Sequence, residues 1–380
     1  MTDVSLNDVI DRIKGNEDRN NTSLLYYVGG EHYVSNSIEL RNGGLISEGV
    51  LGFKFHFPFR SGDVLFMARN PHLQKAARVD FDGICSDASY ILRSKNENIL
   101  LQDFLPLIVQ SDHFWSFFRT NKTGSVNPLL NWSTLSTYKF NMPSLVKQRQ
   151  YADLVWTIQY DINKLEEQLN LLDRVVKSQF IEMFGSEDNP KYGLSTISDL
   201  VSNDIEKVTK SFNQEDTIRY IDISSIDKES KSIVGMSDFL VKDAPSRAQQ
   251  CVMSGDILLS NVRPNLKTIA IVDSDENNLV CSSGFTVLRC EKCPPEYLIT
   301  AIIDDGFTKK LMLNATGSSY PAVTTKIVLS STIPSAPLDL QNQFTDFVKQ
   351  VDKSKFELQQ HIDNTKKLQK TIINSIFQEP

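Results

Sequence analysis

Apolar residues recur every three or four positions from Tyr151 through Leu154, Ile158, Ile162, Leu165, Leu169, Leu172, Val176, Phe180 and Met183. That spacing places them on one face of an α-helix. No Gly or Pro interrupts residues 144–184, while Pro143 stands just ahead and Gly185 just after, as helix starts and stops require. The same face recurs at Phe344, Phe347, Val351, Leu358, Ile362 and Ile376. A helix of about 40 residues spans roughly 60 Å. An apolar seam that long and narrow calls for a second helix beside it, and the chain supplies one itself.

Between the helices the pattern changes. Short apolar runs such as Val64-Leu-Phe-Met67, Ile257-Leu-Leu259 and Thr268-Ile-Ala-Ile-Val272 are bounded by Gly, Asp, Asn and Pro, as strands are. Helical patches at about 101–119 and 296–313 interrupt them. This predicts mixed α/β domains alternating with long helices.

The pattern also repeats. Ser61-Gly-Asp-Val-Leu65 returns as Ser254-Gly-Asp-Ile-Leu258, an offset of 193 residues. The same offset joins Tyr27-Val28 to Tyr220-Ile221, Thr123-Gly124-Ser125 to Thr316-Gly317-Ser318, and Gln148 and Gln150 to Gln341 and Gln343. Cys85-Ser86 with Arg93 matches Cys281-Ser282 with Arg289 at an offset of 196, so a short insertion lies between. A period of half the chain means a tandem duplication and not a solenoid. The expected division is a first domain over 1–143, a helix over 144–185, a second domain over 186–336 and a helix over 337–380.

Composition narrows the function classes. The five cysteines make no disulfide framework in a chain of 380 residues. Cys290 and Cys293 lack the second pair or nearby His that a structural zinc site needs, and read as two thiols near a loop. The N-terminus has no basic region followed by an apolar run, and the apolar stretch 99–109 is broken by Gln102, Asp103 and Pro106. A cytoplasmic protein with no membrane association is expected. There is no phosphate loop, dinucleotide fingerprint, zinc-protease motif or nucleophile elbow. The five histidines are scattered and do not repeat at the offset. Three readings stay open: sequence-specific DNA recognition, a duplicated coiled-coil scaffold that binds other proteins, and an enzyme with an unfamiliar site.

The order of these blocks, their duplication and the alternation with long helices resemble the specificity (S) subunit of type I restriction-modification systems. The local markers are the two Ser-Gly-Asp blocks with Arg69 and Arg263, the Thr-Gly loops at 123–125 and 316–318, and the Gln-x-Gln helix starts at 148–150 and 341–343. The first copy has no counterpart of Ser319-Tyr320-Pro321. The resemblance implies two target-recognition domains, each reading half of a bipartite site on double-stranded DNA, with the helices paired as an antiparallel coiled coil in pseudo-two-fold arrangement. It implies a non-catalytic subunit without cofactor that docks methyltransferase (M) subunits and a restriction (R) subunit. S-adenosylmethionine and ATP with Mg would belong to those partners.

The net charge of −7 runs against phosphate binding, yet the two Ser-Gly-Asp blocks lie in locally basic stretches. Lys54, Arg60, Arg69, Lys75 and Arg78 face one acid, Asp63. Lys242, Arg247, Arg263 and Lys267 face Asp243 and Asp256. Arg, Asn and Gln are the side chains that read purines bidentately, which nominates Arg69, Asn70, Asn261, Arg263 and Asn265. Thr123, Ser125, Thr316, Ser318 and Tyr320 suit phosphates, and Gly124 and Gly317 suit close backbone approach.

Overall fold

The computed structural model describes residues 2–120, 129–202, 204–228, 230–317 and 320–377. Two compact units divide the chain in an unexpected way: one holds residues 1–167 and 358–380, the other residues 168–357. Each long helix, Leu145–Phe184 and Leu338–Ile376, therefore contributes one segment to each unit.

In the first unit, strands Ile10–Ile13, Ser89–Ser94, Val64–Met67, Ala76–Val79 and Glu39–Leu40 form one sheet in that order. Gly44–Leu45, Tyr26–Val28, Gly83–Ser86 and Phe55–Phe59 form a second sheet. Val64–Met67 is buried along its whole length, which is why it reads as an unbroken apolar run. The core joins this sheet to the short helices Leu105–Gln110 and Asp112–Thr120, with Phe66 stacked on Trp115 at 5.4 Å between ring centres.

The second unit repeats the plan. Ile257–Ser260 lies between Ile269–Ile271 and Phe285–Leu288, and Ser237–Leu240, Thr217–Ile221, Leu279–Ser282 and Ala248–Cys251 form the other sheet. The units share one parallel pairing, Tyr26–Val28 with Gly83–Ser86 and Thr217–Ile221 with Leu279–Ser282, and the first unit has a second, Glu39–Leu40 with Ala76–Val79.

Each domain grips the start of the helix that follows it. Gln148 is fully buried; its amide donates to the Ile99 and Pro143 carbonyls and accepts from the Leu101 N–H, all at 2.9–3.0 Å. Gln341 donates to Ala336, the residue matching Pro143, at 2.8 Å. The first long helix ends at Gly185, whose φ of +83° and close approach to the Asn189 carbonyl leave no room for a Cβ.

Within each unit the two helix segments meet in antiparallel sense. In the first, Gln369 donates to Gln159 at 3.1 Å, and Lys366 pairs with Glu166 at 2.8 Å. In the second, Phe344 packs on Phe180 and Phe184 at 5.4 and 5.5 Å, and Lys355 pairs with Asp173. One seam position is corrected. Leu154 is 47 % exposed, because the buried line runs instead through Ala152, Val155, Gln159 and Ile162. Tyr151, Ile158, Leu165, Leu169, Leu172, Phe347 and Leu358 are partly buried, and Phe344, Val351 and Ile362 are buried.

Candidate nucleic-acid interface

The Ser-Gly-Asp block turns out to be a fixture of the fold. Gly62 and Gly255 adopt φ of +92° and +88°, a conformation that glycine supplies without strain. The turn aims the following Asp inward. Asp63, 2 % exposed, accepts the Arg60 N–H at 2.9 Å and both arms of Arg93 at 2.7 and 2.8 Å. Asp256 does the same with the Met253 N–H and with Arg289, at 2.8–2.9 Å. Both guanidinium pKa values rise, chiefly through the bond to their Asp. In this repeated element the Asp ties the turn to the neighbouring strand, and its carboxylate is fully engaged within the fold.

The strand that follows the block delivers a second repeated turn. Asn70-Pro-His-Leu-Gln74 and Arg263-Pro-Asn-Leu-Lys267 are single 3-10 turns whose first and last residues are left-handed, with φ between 47° and 52°. Arg263 thus stands where Asn70 stands, and the counterpart of Arg69 is Val262.

Leu129 and Leu130 in the first unit, and the Thr316-Gly317 loop with Ala322 and Val323 in the second, run beside these turns. Leu129 pairs with Arg69, and the Leu130 N–H donates to the Ala68 carbonyl at 2.9 Å. In the second unit Ala322 pairs with Val262, and the Val323 N–H donates to the Asn261 carbonyl at 2.9 Å. Thr316 and Ala322 exchange two main-chain hydrogen bonds of 2.9 Å, and Gly317 turns the loop with φ of +91°. The Arg263 guanidinium lies 4.4 Å from the centre of the exposed Tyr320 ring, and the Arg263 N–H donates to the Pro321 carbonyl. Asn265 is exposed at the turn's tip. Thr123, Gly124, Ser125 and Ser318 lie outside the described residues.

In the first unit Lys54, Arg69, Asn70 and Lys75 come together around one concavity of about 420 Å³ floored by Phe55, Met67 and Leu73. Lys75 donates to the Gly30 carbonyl at 2.8 Å, and Arg60 is exposed at the Ser-Gly-Asp turn.

Three nominated residues have partners within the fold. Arg78 lies over Trp156 of the first long helix at 4.9 Å and 3.6 Å from Asp103, so it fastens the helix to its domain. The Asn261 amide oxygen accepts the Thr286 hydroxyl at 2.6 Å. Lys267 pairs with Asp305 and lines a separate cavity of about 730 Å³, away from the Arg263–Tyr320 stack.

Two further residues stand at this surface: Arg247, so far named only in the second basic stretch, and Asp87, which the sequence did not single out. Lys54 has an exposed counterpart in Arg247: the Lys54 carbonyl accepts the Asp87 N–H at 3.0 Å, and the Arg247 carbonyl accepts the Ser283 N–H at 2.8 Å. Asp87 lies in the first groove. The offset of 193 carries the signal for Arg247, whereas nothing in the sequence marks Asp87. The Cys290 thiol is held up by hydrogen bonding to Cys293 and by burial, and among the described residues no cluster of three ligands could hold a metal.

The comparisons agree with this plan. The specificity subunit of the type I restriction enzyme HindI from Haemophilus influenzae is 30 % identical over 129 residues, 33 % of this chain and 28 % of that subunit. The specificity subunit of MjaVIII from Methanocaldococcus jannaschii is 22 % identical over 316 residues, 78 % of this chain and 73 % of that one. A solved chain of a type I R-M system shares the fold, with a TM-score of 0.51 at 19 % identity over 98 % of this chain and 96 % of that one. Residues 1–172 and 191–367 both match the type I restriction modification DNA specificity domain, and the chain belongs to that family.

Proposed function

We propose that the chain is the non-catalytic specificity subunit of a type I restriction-modification complex. Each domain reads one half of a bipartite DNA site, and the paired helices dock methyltransferase and restriction subunits. The observation that carries this reading is a left-handed turn repeated in both units, with Arg69 beside the first and, in the second, Arg263 stacked on Tyr320 where the turn meets the loop of Thr316 and Gly317. Arg and an aromatic face are suited to bases and phosphates. With a net charge of −7, the subunit relies on its partners for much of the non-specific attraction to DNA.

The helices support the docking role. Leu154, Tyr160, Leu171, Val175, Ile181, Phe356 and Leu368 are exposed large apolar side chains on them, more than water alone favours. Methyltransferase subunits covering these positions would bury them, and S-adenosylmethionine and ATP with Mg would be bound by the partners.

The test is sequencing of adenine methylation in cells expressing this chain with its cognate methyltransferase, and each alone. A split motif that appears only with both is expected. Normal assembly with an intact methyltransferase but no new motif would instead favour a protein-binding scaffold.

A further inference from the structure

We propose that Asp87 is a specificity-determining residue that accepts a hydrogen bond from the exocyclic amine of a cytosine in the first half-site. The inference rests on the DNA-reading function proposed above. Asp87 lies in the two-residue turn between Gly83–Ser86 and Ser89–Ser94, strands of two different sheets, in the groove lined by Lys54, Arg69, Asn70 and Lys75. Its side chain is exposed, and among the described residues it forms no ion pair, although three cations share the groove.

A groove made only for phosphates gains nothing from a free carboxylate, which repels them. An ionised carboxylate accepts hydrogen bonds and donates none. Phosphate and sugar oxygens, guanine N7 and O6, and thymine O4 are therefore poor partners for it. The remaining donors on base edges in the major groove are the amines of cytosine and adenine. Adenine sets its N7 acceptor beside its amine, where a carboxylate is repelled, so cytosine is the better fit. Arg69 in the same groove has the donors that match guanine O6 and N7, so the two side chains can engage the two bases of a C·G pair.

At the matching position the second unit carries no carboxylate. The matching tip is Ser283-Gly284, with Ser283 held against Arg247 as Asp87 is held against Lys54. The two half-sites should differ in how this position is read.

Asp87→Ala and Asp87→Ser, the latter copying the second unit's own tip, are tested in the full chain assembled with its methyltransferase. Methylated adenines are mapped across the genome. Discrimination at one cytosine position of the first half-site should fall on the order of tenfold to a hundredfold, with the second half-site unchanged. An unchanged motif overturns the proposal. So does relaxation at any other base, or an even loss over all sites in Asp87→Ser chains that melt like the parent. A parent chain that directs no split motif overturns the DNA-reading function itself, and the inference falls with it.

Discussion

A carboxylate as buried as Asp63 or Asp256 is tolerable only when its charge is matched and its lone pairs are used, and here one Arg and one main-chain N–H do both. Removing one partner strands the other. Asp63→Asn and Asp256→Asn should each destabilise the protein by about 3 kcal/mol, the low end for a buried pair because the arginines stay partly solvated. Urea denaturation checks this, and a loss under about 1 kcal/mol would mean that the pair contributes little. The opposite behaviour is expected in the groove. Arg69→Ala should weaken DNA binding by the assembled complex and make the salt slope shallower by about one, whereas Arg78→Ala should leave that slope alone and lower the melting temperature. Salt titrations of the two variants separate these outcomes. Residue type and offset picked out the basic stretches but could not show where each side chain points. Arg69 and Arg78 look alike in sequence, and the packing of Arg78 on Trp156 and beside Asp103 distinguishes them.

The long helices were legible because their period of three to four is sustained for about 40 residues, more than chance patterning permits. The seam was traced less well. Tracing by hydrophobicity chose Leu154 over its neighbour Val155 and passed over Ala152 and Gln159, a small and a polar residue that are both buried, Gln159 against Gln369 of the antiparallel partner. Helix-to-domain anchoring was not legible either, because the contacts join segments far apart in sequence. Asp112 binds Lys370 at 3.0 Å, and Asp305, exactly one repeat further on, binds Lys177 at 3.3 Å. Burial raises the Asp112 pKa, but the bonds from Lys370 and Asn374 outweigh it and bring it below the ordinary value. The bonds from Lys267 and Lys177 lower Asp305. Both folded values therefore lie below the unfolded one. The stabilisation is complete above the unfolded pKa of about 3.9 and is lost as pH falls through the folded values. The double variant Asp112→Asn with Asp305→Asn should lose less melting temperature than the parent between pH 5 and pH 3. Parallel acid limbs in the two proteins would refute the assignment.

At the scale of the whole molecule, the duplication was plain from one offset, but the sharing of helices was not. Chain order suggests a domain followed by its own helix, whereas each compact unit takes the start of one helix and the end of the other. Phe377 beside Phe104 and Phe184 beside Tyr297 are matching contacts, one made by the second helix and one by the first. On the proposed function, these shared helices set the distance between the half-sites, and that can be tested by changing their length. Because the segments are paired, the insertion must go into both helices: one heptad after Glu167 and one after Glu357, where the units divide. A heptad preserves the apolar seam and adds roughly 10 Å of rise, close to the length of about three base pairs. The spacer should lengthen by about three base pairs while both half-sites stay the same. Three base pairs also add about 100° of DNA twist, which the complex must absorb, so the extent of methylation should fall as the spacer grows. Methylation mapping reads both effects at once. An unchanged spacer with intact half-sites would show that the separation is set elsewhere, by the methyltransferase subunits and not by the helices.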